Sequence, residues 1–100
     1  MVAWDKIIGF DWDDGNARKS ADKHAVSQME AEQVFFNEPL LTAPDVKHSS
    51  SERRVHALGR TDDGRLLHIT FTLREDGKKL RVISARDMSR KERSYYEEGI

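Results

Sequence analysis

The sequence predicts one α+β domain over residues 1–100, with two N-terminal helices, an antiparallel β-meander and a short C-terminal helix. Three observations carry that expectation. Two serine-led capping boxes, Ser27 to Glu30 and Ser89 to Glu92, mark helix starts. Two aspartate–glycine pairs, Asp63-Gly64 and Asp76-Gly77, separate segments of alternating polarity and read as hairpin turns. One hundred residues, 37% of them hydrophobic, suffice for one two-layer core and no second unit.

Taken in order, Phe10-Asp11-Trp12-Asp13 alternates apolar and polar residues as a short strand does. Asp13 or Asp14 can cap a helix running to about His24, with Ala17, Ala21 and His24 on one face. The second helix opens at Ser27, with Val26 placed to staple onto Ala31. Ala31, Val34 and Phe35 form its apolar stripe, and Pro39 ends it near Asn37. Residues 43–51 read as a loop. Arg53–Thr61 alternates, with Val55 and Ala57 on one face and Arg54, His56 and Arg60 on the other. In Leu66–Arg74 the apolar set is Leu67, Ile69, Phe71 and Leu73, and the polar set is His68, Thr70, Thr72 and Arg74. Lys79–Arg86 is the third strand, and the last helix runs from Ser89 to near Glu98.

Charged residues make up 35% of the chain, against about 25% in an average globular protein. The net charge of −1 hides an uneven distribution. Residues 1–50 hold 5 Lys/Arg and 9 Asp/Glu, whereas residues 51–100 hold 12 Lys/Arg and 9 Asp/Glu. A basic half can bind phosphates although the whole is slightly acidic, because screening confines each charge to a Debye length of about 8–10 Å. Nine of its twelve cations are arginine, whose planar fork suits phosphate. No cysteine is present, which excludes disulfides and thiolate metal sites and fits a reducing compartment. The opening MVAWDKIIGFDWDD reaches acidic residues before any apolar run could span a bilayer, so a cytoplasmic domain without membrane contact is expected.

Phosphate loops, HExxH, Gly-x-Ser-x-Gly and paired-cysteine patterns are absent, and His24, His48, His56 and His68 lack metal-ligand spacing. No metal or other cofactor is expected. The chemistry instead gathers on the polar faces of the first two meander strands, where Arg54, His56, Arg60, His68 and Arg74 alternate outward. RNA cleavage without a metal requires a base for the ribose 2′-OH, cations for the crowded phosphate and an acid for the leaving oxygen. Arginine supplies the second and histidine either proton transfer. A merely solvent-facing sheet side shows the same alternation, and pattern alone leaves both readings open. Arg90, Lys91 and Arg93 crowd the first turn of the last helix, a natural phosphate position.

Several blocks together resemble the BrnT-type toxin family. In the first half they are Phe10-Asp11-Trp12-Asp13, Lys23-His24-Ala25-Val26-Ser27, Glu30-Ala31, Val34-Phe35 and Pro39. In the second they are Glu52-Arg53-Arg54, Gly59-Arg60, Asp63-Gly64-Arg65-Leu66-Leu67, Arg81 to Arg86, Ser89 to Arg93 and Tyr96-Glu97. The match spans about residues 10–98, and departs from the family where Asn16 replaces a usual lysine and Ser20 a usual asparagine. The resemblance implies a RelE-like fold and a ribonuclease that arrests translation. It also implies a cognate BrnA-type antitoxin as partner, with operator DNA contacted only through the antitoxin complex.

On this reading Arg54 and Arg86 hold the scissile phosphate. Ser84, sharing a face with Arg86, hydrogen-bonds substrate or else backbone at the strand end. His24 acts as acid or base or else caps its helix, and Arg60, Arg90 and Lys91 position RNA. The rival from another class is a non-catalytic toxin-fold module that binds a protein target or serves as a co-repressor.

Overall fold

The computed structural model describes residues 2–13, 15, 24–49 and 52–98. Among them one sheet has the order β1-β5-β4-β3-β2, formed by β1 (Gly9–Phe10), β2 (Leu41–Pro44), β3 (Val55–Arg60), β4 (Leu66–Arg74) and β5 (Lys79–Asp87). Two α-helices are described, α1 (Gln28–Val34) and α2 (Arg90–Glu98), with a 3-10 turn at Trp4–Lys6. The expected helix from Asp13 or Asp14 to about His24 falls on residues 14 and 16–23, outside the described residues.

β3, β4 and β5 are consecutive antiparallel neighbours, and the sheet is wider than the expected meander. β1 adds to β5 in parallel, and β2 adds to β3 antiparallel, with Ala43 opposite His56 and Pro44 opposite Val55. Ala43 and Pro44 thus belong to a strand where a loop was expected. Proline misleads here because, at the end of an edge strand, its missing N–H costs no ladder bond. The first hairpin turn is also longer than its Asp-Gly pair implied. Thr61 N–H donates to Arg65 O at 2.9 Å, leaving Asp62, Asp63 and Gly64 as a three-residue loop with Gly64 at φ +84°. In the second turn Glu75, Asp76 and Gly77 all take positive φ.

Both capping boxes form. Ser27 Oγ accepts from Glu30 N–H and Glu30 Oε1 accepts from Ser27 N–H, and Ser89 and Glu92 do the same for α2. α1 ends at Val34, short of the expected Asn37, with Phe35 as its C-cap. Its buried Ala31 and Val34, with Val26 ahead of the cap, pack on Ala57, Leu67, Ile69 and Phe71. A Cβ at Gly59 would lie 2.6 Å from Val34 Cγ1, so only glycine lets α1 sit this close to β3.

One irregularity decides what the other sheet face carries. Thr70 pairs with Ser84 but Phe71 pairs with Val82, so Ile83 is an extra residue on β5. Strict alternation would send Leu80, Val82, Ser84 and Arg86 to one side. The bulge instead leaves Leu80, Val82 and Ala85 buried in the core and turns Ser84 and Arg86 to the opposite face. That face is not open to water along its length. Thr70 and Thr72, expected outward, are buried, Thr72 Oγ1 donating to Arg53 O at 2.7 Å.

Candidate active site

The face opposite the core carries two histidines side by side. His56 on β3 and His68 on β4 have ring centroids 4.8 Å apart. The register explains their meeting. His56 lies opposite Thr70 and Leu58 opposite His68, so the two histidines are diagonal neighbours two residues offset. Alternation brings Arg54 to the same side, one residue before β3. The β5 bulge brings Ser84 and Arg86 there, opposite Thr70 and His68.

A carboxylate stands at each end of the pair. Asp45, just after β2, contacts His56 Nε2 with Oδ2 at 3.2 Å and His48 Nδ1 at 3.1 Å. The other nitrogen of His56, Nδ1, lies 3.0 Å from Thr70 Oγ1, so protein groups fix the ring on both sides. At the far end Glu92 accepts from both terminal nitrogens of Arg86, at 2.8 and 3.0 Å. Its Oε2 stands 3.8 Å from His68 Nε2, an electrostatic neighbour beyond hydrogen-bond range. Glu92 can do this because it is the N3 residue of a capping box, which anchors its carboxylate at the start of α2.

Electrostatics separates the groups. Burial opposes ionisation of Asp45, but the His48 hydrogen bond and the charges of His56 and His48 outweigh it and hold its carboxyl low. The bidentate Arg86 pair pushes Glu92 down to about 2. His68 is lowered, first by burial and then by Arg86, so its imidazole is neutral at pH 7. Beside these residues a small cavity of about 180 Å³ opens between β2, β3 and α2.

Of the residues singled out from sequence, Arg54, Ser84 and Arg86 do reach this face. Arg54 Nε is buried with no hydrogen-bond partner among the described residues, and its backbone N–H donates to Ser49 Oγ at 3.0 Å. Ser84 is half-buried beside Thr70. Arg86 is there but already paired, so its charge is largely compensated. His24 stands apart. Its carbonyl faces Arg65 Nη2 at 3.4 Å, and Asp87 is its electrostatic neighbour. Asp87 pairs in register with core-facing Leu67, away from the histidines.

Arg60 lies at the rim, its Nε donating to Glu38 O at 2.9 Å. Arg90 and Lys91 are exposed in the first turn of α2. The face is therefore a compensated mixture of acids, histidines and arginines, with the basic surplus around its edge. Sequence reasoning missed Asp45, Thr70 and Glu92. Only Glu92 had a usable signal, since a capping-box carboxylate has a fixed position.

Comparison with known proteins bears on this arrangement. The family model described as "Ribonuclease toxin, BrnT, of type II toxin-antitoxin system" matches residues 12–92. The crystal structure of the Brucella abortus ribonuclease toxin BrnT aligns with 83% of this chain and 99% of that chain, at 19% identity and a TM-score of 0.62. At that identity the likeness shows a shared fold. No curated protein sequence matches the chain.

Proposed function

Since the chain belongs to the BrnT family, the ribonuclease toxins of type II toxin–antitoxin systems, we propose that it cleaves RNA at the face bearing His56, His68, Arg54 and Arg86. The observation that carries this reading is the histidine pair, 4.8 Å apart with a carboxylate at each end. In this mechanism His68, neutral at pH 7, takes the proton of the ribose 2′-OH. The 2′ oxygen attacks the adjacent phosphorus, forming a 2′,3′-cyclic phosphate as the bond to the 5′ oxygen breaks. His56 delivers a proton to that leaving oxygen from Nδ1, its Thr70 contact giving way to substrate while Asp45 keeps the ring aimed through Nε2. Arg54 and Arg86 stabilise the extra negative charge on the phosphorane, and a preorganised donor of this kind is worth about 10²–10³ in rate. Ser84 hydrogen-bonds substrate, and Arg60, Arg90 and Lys91 hold the flanking strand. His24 is assigned no proton transfer, because its backbone carbonyl faces Arg65 and its side chain neighbours Asp87, away from the histidine pair.

No metal enters the scheme, because every step has a side chain for it. Among the described residues no three His, Cys, Asp or Glu side chains converge as metal ligands. The test is purified protein on end-labelled RNA in EDTA. Cleavage leaving 2′,3′-cyclic phosphate and 5′-hydroxyl ends is expected. Cleavage that stops in EDTA and returns with a divalent ion, the RNA fold being unchanged, would overturn metal independence.

The family implies a protein antitoxin. We assign it to the BrnA type and place it over the histidine face, where it competes with RNA and contributes the contacts to operator DNA. The RelE-like reading of the fold and a cytoplasmic site of action go with this proposal. The first rests on the sequence resemblance, the second on the cysteine-free composition. No helix among the described residues is long and apolar enough to cross a membrane.

A further inference from the structure

Next to the histidine pair lies a hollow that the mechanism does not use. It has about 180 Å³, with Leu41 and Ala43 of β2, Leu58 of β3 and Tyr95 of α2 as apolar walls. Its polar side is formed by Thr42 of β2 and by groups already described, His56, His68 and Glu92. Ligand pockets for whole small molecules usually span about 300–1,000 Å³, so this one has room for one flat base and not for a whole nucleotide. Tyr95 is 64% exposed although its neighbour Tyr96 is buried. Tyr96 anchors α2 by donating to Pro39 O. Tyr95 thus rides on a fixed helix with its ring presented at the hollow.

We propose that this hollow is a nucleobase subsite in which a base flanking the scissile phosphate stacks on Tyr95 between Leu41 and Leu58. Every base has a π-face, and unstacked single-stranded bases are recognised on aromatic side chains in this way. A base seated there carries its ribose and phosphate to the wall where His56 and His68 stand. The subsite therefore positions the substrate as well as binding it. Glu92, acceptor-only when ionised, already receives three hydrogen bonds from Arg86 and Ser89. It adds little discrimination among bases, and the subsite selects for a base over none. This inference rests on the placement of RNA cleavage at the histidine face.

The experiment uses the full chain and an oligoribonucleotide with one mapped cleavage site. Versions carry a single abasic ribose, which keeps the 2′-OH and phosphate, on either side of that site. For wild-type protein one abasic version should lose about tenfold or more in kcat/KM, and Tyr95→Ala on intact RNA should lose a similar factor. Tyr95→Ala should lose nothing further on that abasic RNA, and Tyr95→Phe should match wild type on both. A folding defect would lower both substrates alike and would not abolish the discrimination. Wild-type indifference to either abasic position, or additive losses in Tyr95→Ala, would overturn the subsite. Those outcomes leave the histidine mechanism standing, whereas undiminished cleavage by His56→Ala and His68→Ala proteins would remove the reading beneath it.

Discussion

Arg86 and Glu92 meet through two parallel hydrogen bonds, 2.8 and 3.0 Å long, across the gap between β5 and the first turn of α2. The cation chosen by sequence as a phosphate ligand is thus held in place by a carboxylate that also caps a helix. Preorganisation of this kind keeps the guanidinium aimed while lowering its net charge.

Removing Glu92 should therefore cost stability as well as aim. Glu92→Ala loses the capping reciprocity and the bidentate pair, and we expect about 1–3 kcal/mol of destabilisation, the exposed half of Arg86 limiting the pair's worth. Acid sensitivity checks the cause. Glu92 falls from 4.5 unfolded to about 2 folded, so the unfolded state binds more protons between those values. Its contribution is complete above about 4.5 and is lost as pH falls towards 2. Denaturant melts of wild type and Glu92→Gln should converge as pH drops through that window. A constant difference across it would show that the charge is not the stabilising feature.

His68 is shifted in the same direction, and here the shift bears on proton transfer. Its lowered pKa means the folded state resists protonation, so this histidine favours folding above about 6.5 and the advantage fades as pH falls below it. The ring should titrate below 6.5 by NMR, and kcat/KM should rise with pH through the same value. Removal of the Arg86 charge in Arg86→Met should move both upward. A midpoint above 6.5, or a rate limb that ignores the Arg86 substitution, contradicts the assignment of His68 as base.

Much of the fold was legible. Ser27 with Glu30 and Ser89 with Glu92 fixed two helix starts, and alternation in Val55–Arg60 and Leu66–Arg74 fixed two strands with their core faces. What failed did so for local physical reasons. Pro44 ends an edge strand, where its missing donor is harmless, and β1 is only two residues long. The bulge at Ile83 leaves no mark in the sequence, yet it decides the face of Ser84 and Arg86. The site was legible as a list of cations and histidines, but their compensation was not. Asp45 approaches His56 only because β2 pairs with β3 and delivers the loop that follows it.

Arg54 offers the cleanest mutational probe of phosphate binding, because its guanidinium Nε lacks a hydrogen-bond partner among the described residues. Arg54→Ala should lower cleavage by about 10²-fold with little change in melting temperature, and Arg54→Lys should not restore it. Arg86→Ala should match that loss in rate while also lowering stability. Full activity in both variants, each assayed well below its own melting temperature, would move the phosphate elsewhere.

The antitoxin prediction turns on the exposed cations of α2. If the partner masks the RNA surface, replacing Arg90 and Lys91 by Glu should weaken RNA binding and antitoxin binding together. It should also reduce the salt dependence of both. Loss of RNA binding with antitoxin affinity and its salt dependence unchanged would place the antitoxin away from this rim.

The central claim is that His56 and His68 are the proton carriers, and single-turnover cleavage of labelled RNA in EDTA tests it most directly. Wild type, His56→Ala, His68→Ala and the double variant should be compared at matched secondary structure and melting temperature. Each single change should lower the rate by about 10²–10⁴-fold. The double variant should fall little further, because groups that act as a unit lose together. Wild-type rates in both single variants, with the same 2′,3′-cyclic ends, would contradict the account.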